Sequence, residues 1–225
     1  GIAIGSGAGQ FQQQSTSTGG SIAIGVNAGQ TGQGLGSIAI GQGAGRTGQN
    51  SNAIAIGNSS GALSQGNDAI SIGTNAGRTG QQINAVAIGL NAGQSTQGVS
   101  SIAIGINAGQ FNHSFGSISI GENAGRTGHG SDAIAIGSFA GELSQTSESI
   151  AIGFGAGARL QSSRAIAIGY QSGRTNQNIN AISIGNSSGA FLQGNDAISI
   201  GTNAGRTNQN SNAIAIGANA GNILQ

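Results

Sequence analysis

A 16-residue repeat constrains this chain more than any other feature of its sequence. The tetrad Ile/Val-Ala/Ser-Ile-Gly occurs fourteen times, and from Ile22 onward each copy begins 16 residues after the one before it. Two variable residues, an Ala or Ser, a Gly and, four residues later, a Gln or His follow each tetrad. The first spacing is four residues longer because of an insertion within residues 10–20, for which we expect a protruding loop. Since nothing breaks the phase, we expect residues 1–225 to form one continuous repeat domain with this period from residue 21.

Alternation within the tetrad predicts a β-strand. In the run Ser-Ile-Ala-Ile-Gly at residues 21–25, the two Ile side chains fall on one face and the small residues on the other. The Gly, Asn, Gln and Asp residues that follow are turn formers. Two short strands and two turns are not stable in isolation, so each 16-residue repeat must stack on the next. The sequence therefore predicts an all-β fold, a parallel β-solenoid (β-roll) of about fourteen coils in a single elongated rod.

Large apolar residues are usually buried, so we expect the Ile side chains of the tetrad to face inward and form continuous core ladders. This predicted core ladder contains Ile22, Ile24, Ile38, Ile40, Ile54, Ile56, Ile102, Ile104, Ile214 and Ile216.

The opposite face of the strand carries no side chain longer than Ser, and we expect it to be a flat outer surface for association. Three partners fit a flat regular surface: further copies of the chain, a stacked sheet in a filament, or ice. This predicted association face contains Ser37, Ala39, Ala53, Ala55, Ser101, Ala103, Ala181 and Ser183.

Composition excludes several classes of protein. The 225 residues include 45 Gly, only 6% are charged, and the net charge is +1. With no Cys there is neither a disulfide framework nor a thiol nucleophile. No apolar run approaches the roughly 18 to 20 residues of a membrane helix, so we expect no membrane insertion of this segment. A surface with so little charge has little to oppose self-association.

The motif Ser-Ile-Ala-Ile-Gly-x-x-Ala, as at residues 21–28 and 101–108, resembles the head repeats of trimeric autotransporter adhesins of the YadA type. The resemblance covers the chain from Ile2 to Gly221, although the period is longer than in typical head repeats. Similar repeats occur in surface fibres of phages and large viruses. The resemblance implies left-handed β-rolls, three chains side by side, and display on an outer surface to bind host or matrix molecules.

Few residues could carry chemistry. Gly-rich turns such as residues 41–45 do not open a helical pattern, and the absence of Lys excludes the usual phosphate-loop motif. His113 and His129 occupy the Gln column in consecutive repeats and are weak metal candidates, because no third ligand is obvious beside them. We therefore expect no catalytic residue, no metal and no cofactor. The sparse Arg column and the near absence of aromatic residues argue against nucleic-acid binding.

Residues 16 apart should lie on adjacent coils. This spacing pairs Arg126 with Glu142 and Arg164 with Glu148, as exposed ion pairs. It also places Phe154 beside Tyr170 in the variable column after the tetrad, as an exposed apolar step. We expect this step to serve as a ligand contact or in packing between protomers, and packing is the favoured interpretation.

Three functions remain open. The first is a non-enzymatic adhesive or structural fibrous protein on a cell or virion surface, self-associating as a homotrimer and displaying variable outward residues for attachment. The second is a subunit of an extracellular end-to-end filament; the Asn, Ala and Gln columns resemble curli-type amyloid repeats, although the spacing does not match. The third is an ice-binding protein that uses the Ala/Ser face. A near-identical duplication of residues 49–85 at 177–213 suits a length-adjustable repeat better than an enzyme.

Overall fold

The computed structural model describes residues 1–13 and 20–223 and is all-β, with no helix among them. Parallel strands stack in coils as a β-solenoid of about 13 turns with about 16 residues per turn, which confirms the predicted fold class. Two compact units are present, Gly1–Gly116 and Ser117–Gln225. The loop expected within residues 10–20 falls mostly on residues 14–19, outside the described part of the chain.

Each coil contributes a strand from the tetrad, and these strands pair in parallel into what we call the tetrad sheet of each unit. The register joins residues 16 apart, as in Ile38↔Ile54, and 20 apart only at Ile2↔Ile22. In the first unit the tetrad sheet contains β1 (Ile2–Ile4), β2 (Ile22–Ile24), β3 (Ile38–Ile40), β5 (Ile54–Ile56), β7 (Ile70–Ile72), β9 (Val86–Ile88) and β11 (Ile102–Ile104). In the second unit it contains β13 (Ile118–Ile120), β15 (Ile134–Ile136), β17 (Ile150–Ile152), β19 (Ile166–Ile168), β21 (Ile182–Ile184), β23 (Ile198–Ile200) and β25 (Ile214–Ile216).

A second strand in most coils ends on the Gln or His of the repeat, and these strands form the Gln sheet of each unit. Isolated bridges at Phe11↔Thr31 and Thr31↔Thr47 extend this pairing toward the first coils. In the first unit the Gln sheet contains β4 (Thr47–Gln49), β6 (Leu63–Gln65), β8 (Thr79–Gln81), β10 (Ser95–Gln97) and β12 (Phe111–His113). In the second unit it contains β14 (Thr127–His129), β16 (Leu143–Gln145), β18 (Arg159–Gln161), β20 (Thr175–Gln177), β22 (Phe191–Gln193) and β24 (Thr207–Gln209).

The Gly that ends each tetrad is required by the turn that follows the strand. Gly25 has φ of 129°, and a Cβ at that position would lie 2.6 Å from the carbonyl oxygen of Gly41 in the next coil. Coils therefore approach so closely here that no other residue fits without moving the backbone.

The interior is built from small residues, so the expected orientation of the tetrad strand is wrong. Every residue of the predicted association face has no exposed surface: Ser37, Ala39, Ala53, Ala55, Ser101, Ala103, Ala181 and Ser183 are all 0% exposed. The residues of the predicted core ladder lie on the outer face instead. Ile22, Ile24, Ile38, Ile40, Ile54, Ile102 and Ile104 are half-buried, Ile56 is 36% exposed, and Ile214 and Ile216 are 61% and 65% exposed.

Available volume explains this inversion. A Cβ placed on Gly45 would lie 3.2 Å from the Cβ of Ala39 and 2.6 Å from Oε1 of Gln49. The gap between the tetrad strand and the facing turn therefore holds about one methyl group per coil. Close packing leaves no room for Ile on this side, so the larger residue of the alternating pair must face outward.

Two Val substitutions on one strand test which face is buried. Ala103→Val should destabilise the protein by about 1 to 3 kcal/mol, because the added methyl groups overpack a filled interior. Ile104→Val removes one methylene from a half-buried residue and should cost less than about 1 kcal/mol. Denaturant unfolding measures both, and a larger loss for Ile104→Val would contradict the assigned orientation.

Candidate functional site

Beyond the first coil, the described Gln residues of the repeat column are buried and cross the interior, whereas Gln13 of the first coil is only partly buried. Gln33, Gln49, Gln65, Gln145 and their counterparts are at most 2% exposed. In ten of them Nε2 donates to the carbonyl of the first tetrad residue of the same coil, over 2.7–2.9 Å. The side chain thus ties the Gln sheet to the tetrad sheet within each coil.

The remaining polar groups of this Gln ladder are partly shared between coils. Gln49 Nε2 donates to Oε1 of Gln65 over 3.2 Å, and Gln81 Nε2 to Oε1 of Gln97 over 3.1 Å. Where the tetrad has Ser in place of Ala, its hydroxyl supplies the donor, as from Ser71 to Oε1 of Gln81 over 2.6 Å. The sequence pattern indicates that this column has a structural role, because the column is Gln or His in every coil while its neighbours vary.

His113 and His129 replace Gln in the buried column, at 1% and 0% exposure. The Oγ of Ser119 and Nδ1 of His129 form a 2.9 Å hydrogen bond. Burial lowers the pKa of His129 from 6.5 to about 4, opposed by a hydrogen bond with Gln145. The described residues contain no group of three or more His, Cys, Asp or Glu side chains placed to hold a metal ion. The arrangement therefore keeps His129 neutral as a member of the ladder.

The outer face of the tetrad sheet carries two parallel columns of Ile or Val in each unit. Several of these side chains remain about a third exposed, including Ile72 at 37% and Ile184 at 36%. No charged residue occurs in either column. Variable residues that follow the tetrad extend the apolar surface at Leu90 and Ile106, which are 45% and 48% exposed. We call this surface the Ile face.

Charged side chains meet at one of the two predicted positions. Arg126 and Glu142 form a salt bridge of 3.1 Å. Glu148 and Arg164 do not pair within 4.0 Å, because Arg164 instead donates from Nε to Oδ1 of Asn180 over 2.9 Å. The expected pairing of Glu148 with Arg164 is therefore wrong.

An aromatic group in the second unit surrounds a small opening. Phe154 stacks on Tyr170 with ring centroids 5.4 Å apart, as the sequence spacing predicts, and Phe139 meets Phe154 edge-on at 5.8 Å. Beside them lies a cavity of about 160 Å³, whose lining includes Gly155, Ala158, Arg159 and Arg174. Sequence spacing did not reveal Phe139, because it stands one column away from Phe154.

No family model, curated protein or solved structure matches this chain. Across the described residues, no helix is long and apolar enough to cross a membrane.

Substitution of His129 by Gln should remove a pH-dependent loss of stability. Because the folded pKa of about 4 lies below the unfolded value of 6.5, the unfolded chain binds the proton first as pH falls. The contribution of His129 to stability is therefore fully present above pH 6.5 and is lost as the pH falls from 6.5 to about 4. The total loss is on the order of 3 kcal/mol. Chemical unfolding of the unmodified protein and of the His129→Gln variant across this pH range measures the difference between their stabilities. Exposed carboxylates contribute equally to both proteins and cancel in that difference. Parallel pH profiles would contradict the burial of a neutral His129.

Proposed function

We propose that this chain is a non-enzymatic structural protein of an extracellular, cell or virion surface, which associates with copies of itself and displays variable residues for attachment. One observation carries the proposal: the Ile face presents two unbroken uncharged apolar columns to solvent in each unit. Soluble proteins seldom leave such a contiguous apolar surface uncovered, and a repeating surface suits a repeating partner.

Energetic considerations favour self-association through the Ile face. Burying the exposed third of an Ile side chain contributes about 0.5 to 1 kcal/mol, since complete burial contributes roughly 1.5 to 3 kcal/mol. A unit has fourteen Ile or Val positions in its tetrads, several of them about a third exposed, so covering them contributes up to about 10 kcal/mol. This is comparable to the roughly 4 to 15 kcal/mol lost when free protomers associate, and two units together exceed much of that range.

The partner surface differs from the one expected from sequence. Ala39, Ala55 and the rest of the small-residue face lie inside the coil, so they can contact neither a second chain nor ice. The proposed interface is therefore the Ile face, and a trimer is the state that the sequence resemblance implies. Residues of the variable column outside the Ile face, such as Val26, Phe154 and Tyr170, stand at 45% exposure or more and are available for display.

Thr substitutions on the Ile face test the proposal. The triple variant Ile56→Thr, Ile72→Thr and Ile88→Thr keeps β-branched residues but removes apolar contact area from three consecutive coils. We expect the protein to be a discrete homo-oligomer and the variant to dissociate at on the order of hundredfold higher concentration, with an unchanged circular dichroism spectrum. Analytical ultracentrifugation measures the association.

A matched control places the same change on the opposite sheet. Leu63→Thr, Phe111→Thr and Leu143→Thr replace apolar residues on the outer side of the Gln sheet and should leave the oligomer intact. A monomeric unmodified protein, or equal effects of the two triple variants, would contradict association through the Ile face. Long uniform filaments would instead favour the filament alternative.

A further inference from the structure

The cavity beside Phe154 exists because one coil has small residues where its neighbours have large ones. Gly155 follows Phe139 and precedes Gln171 in its column, and Ala158 stands between Glu142 and Arg174 in another. The missing side chains leave an opening of about 160 Å³. We call this opening the Gly155 cleft. At roughly 30 Å³ per water molecule, its volume corresponds to about five waters, which is the scale of one monosaccharide ring.

Phe139 borders the Gly155 cleft at a conformational cost. Its φ is 60°, in the left-handed region, which an aromatic side chain seldom adopts. All other described residues of this column are Gly, Asn, Ser or Gln. Asn would occupy the position with less strain, so the turn itself does not require the aromatic ring.

Charge on the rim of the Gly155 cleft is unbalanced. Arg159 and Arg174 are both exposed, and in the described part of the chain neither has a carboxylate within 4.0 Å. Arg159 is also the only Arg in its column, where the other coils have Thr, Ser, Leu, Phe or Ile. The charge of Glu142 on the same rim is balanced by Arg126 at 3.1 Å. Two uncompensated guanidinium groups therefore favour a carboxylate ligand.

The rest of the lining selects among carboxylates. Glu142 and Gln171 offer acceptors for hydroxyl groups, while Phe139 and Phe154 offer an apolar wall. A phosphate or sulfate ion has no group for that apolar wall. An amino acid would bring an ammonium group to a Glu142 that Arg126 already neutralises. A sugar ring that carries both hydroxyls and a carboxylate meets all three requirements.

We propose that the Gly155 cleft binds a carboxylated monosaccharide unit of a glycan, with its carboxylate on Arg159 and Arg174 and its ring against Phe139 and Phe154. The inference rests on the proposed attachment function and names the ligand class for it. Uronic and sialic acids share this chemistry, so the test includes both.

Binding is measured by isothermal titration of the full chain with a glucuronate oligosaccharide and with sialyllactose, using a neutral glucose oligosaccharide and lactose as matched probes. At least one acidic probe should bind, and its neutral counterpart should not. Arg159→Gln and Arg174→Gln should each lower the affinity about tenfold or more, because each removes a charge-assisted hydrogen bond. Arg46→Gln and Arg206→Gln change the same column as Arg174 away from the aromatic group and should leave the affinity unchanged.

Two further variants separate binding from folding. Phe139→Asn should abolish binding while holding or raising thermal stability, because it relieves the strained backbone. Gly155→Asn fills the cleft and should also abolish binding, whereas Gly43→Asn at the same column elsewhere should not. Absence of binding to both acidic probes, equal binding of neutral probes, sulfate or free phenylalanine, or equal effects of Arg46→Gln and Arg174→Gln would each overturn the proposal. The oligomeric state, measured in parallel, tests self-association independently of these outcomes.

Discussion

The side-chain amide of the buried Gln holds the two sheets of each unit together across the interior. In Gln65 it spans the interior and donates over 2.8 Å to the carbonyl of Ile54, joining the two strands of one coil. Ala and Ser provide little apolar area for holding two sheets together, so a directional contact takes that role. A buried amide left without partners costs roughly 1 to 3 kcal/mol, and that penalty recurs in every coil with the wrong register. The constant separation of 11 residues between the first residue of a tetrad and its Gln therefore follows from the need to keep each Gln opposite its own tetrad.

The sequence is sufficient to predict the tetrad strands, but it does not determine which of their two faces is buried. Alternation at Ile38-Ala39-Ile40 and the strict period are sufficient to predict stacked parallel strands. Alternation alone does not say which face is inside, and the general burial of Ile points the wrong way. The decisive quantity is the width of the coil, set by the close approach of Gly45 to Ala39. That distance depends on the conformation of the turn and cannot be obtained from residue type.

Within the candidate site, only the contacts between residues on adjacent coils could be predicted from the sequence. Residues one repeat apart must be neighbours, which predicts the stacking of Phe154 on Tyr170 and the salt bridge between Arg126 and Glu142. Contacts between columns depend on side-chain direction, so Phe139 and the opening over Gly155 emerged only from the structure. Arg164 shows a second limit: Glu148 and Asn180 both lie one repeat away from it, and spacing alone does not say which of the two it contacts. In our proposal, the residues that break the repeat carry the binding specificity, rather than the repeat itself.

Hydrogen exchange of the side-chain amides tests the Gln ladder most directly. In deuterated buffer, the Nε2 protons of buried residues such as Gln65 and Gln177 should exchange far more slowly than the Nδ2 protons of exposed residues such as Asn58 and Asn178, because exchange requires the coil to open. Two-dimensional nitrogen–proton spectra resolve the two classes of amide by residue-specific labelling. We expect the ladder amides to be protected about as strongly as the backbone amides in the strands. Exchange of the Gln side chains as fast as that of the exposed Asn side chains would contradict it.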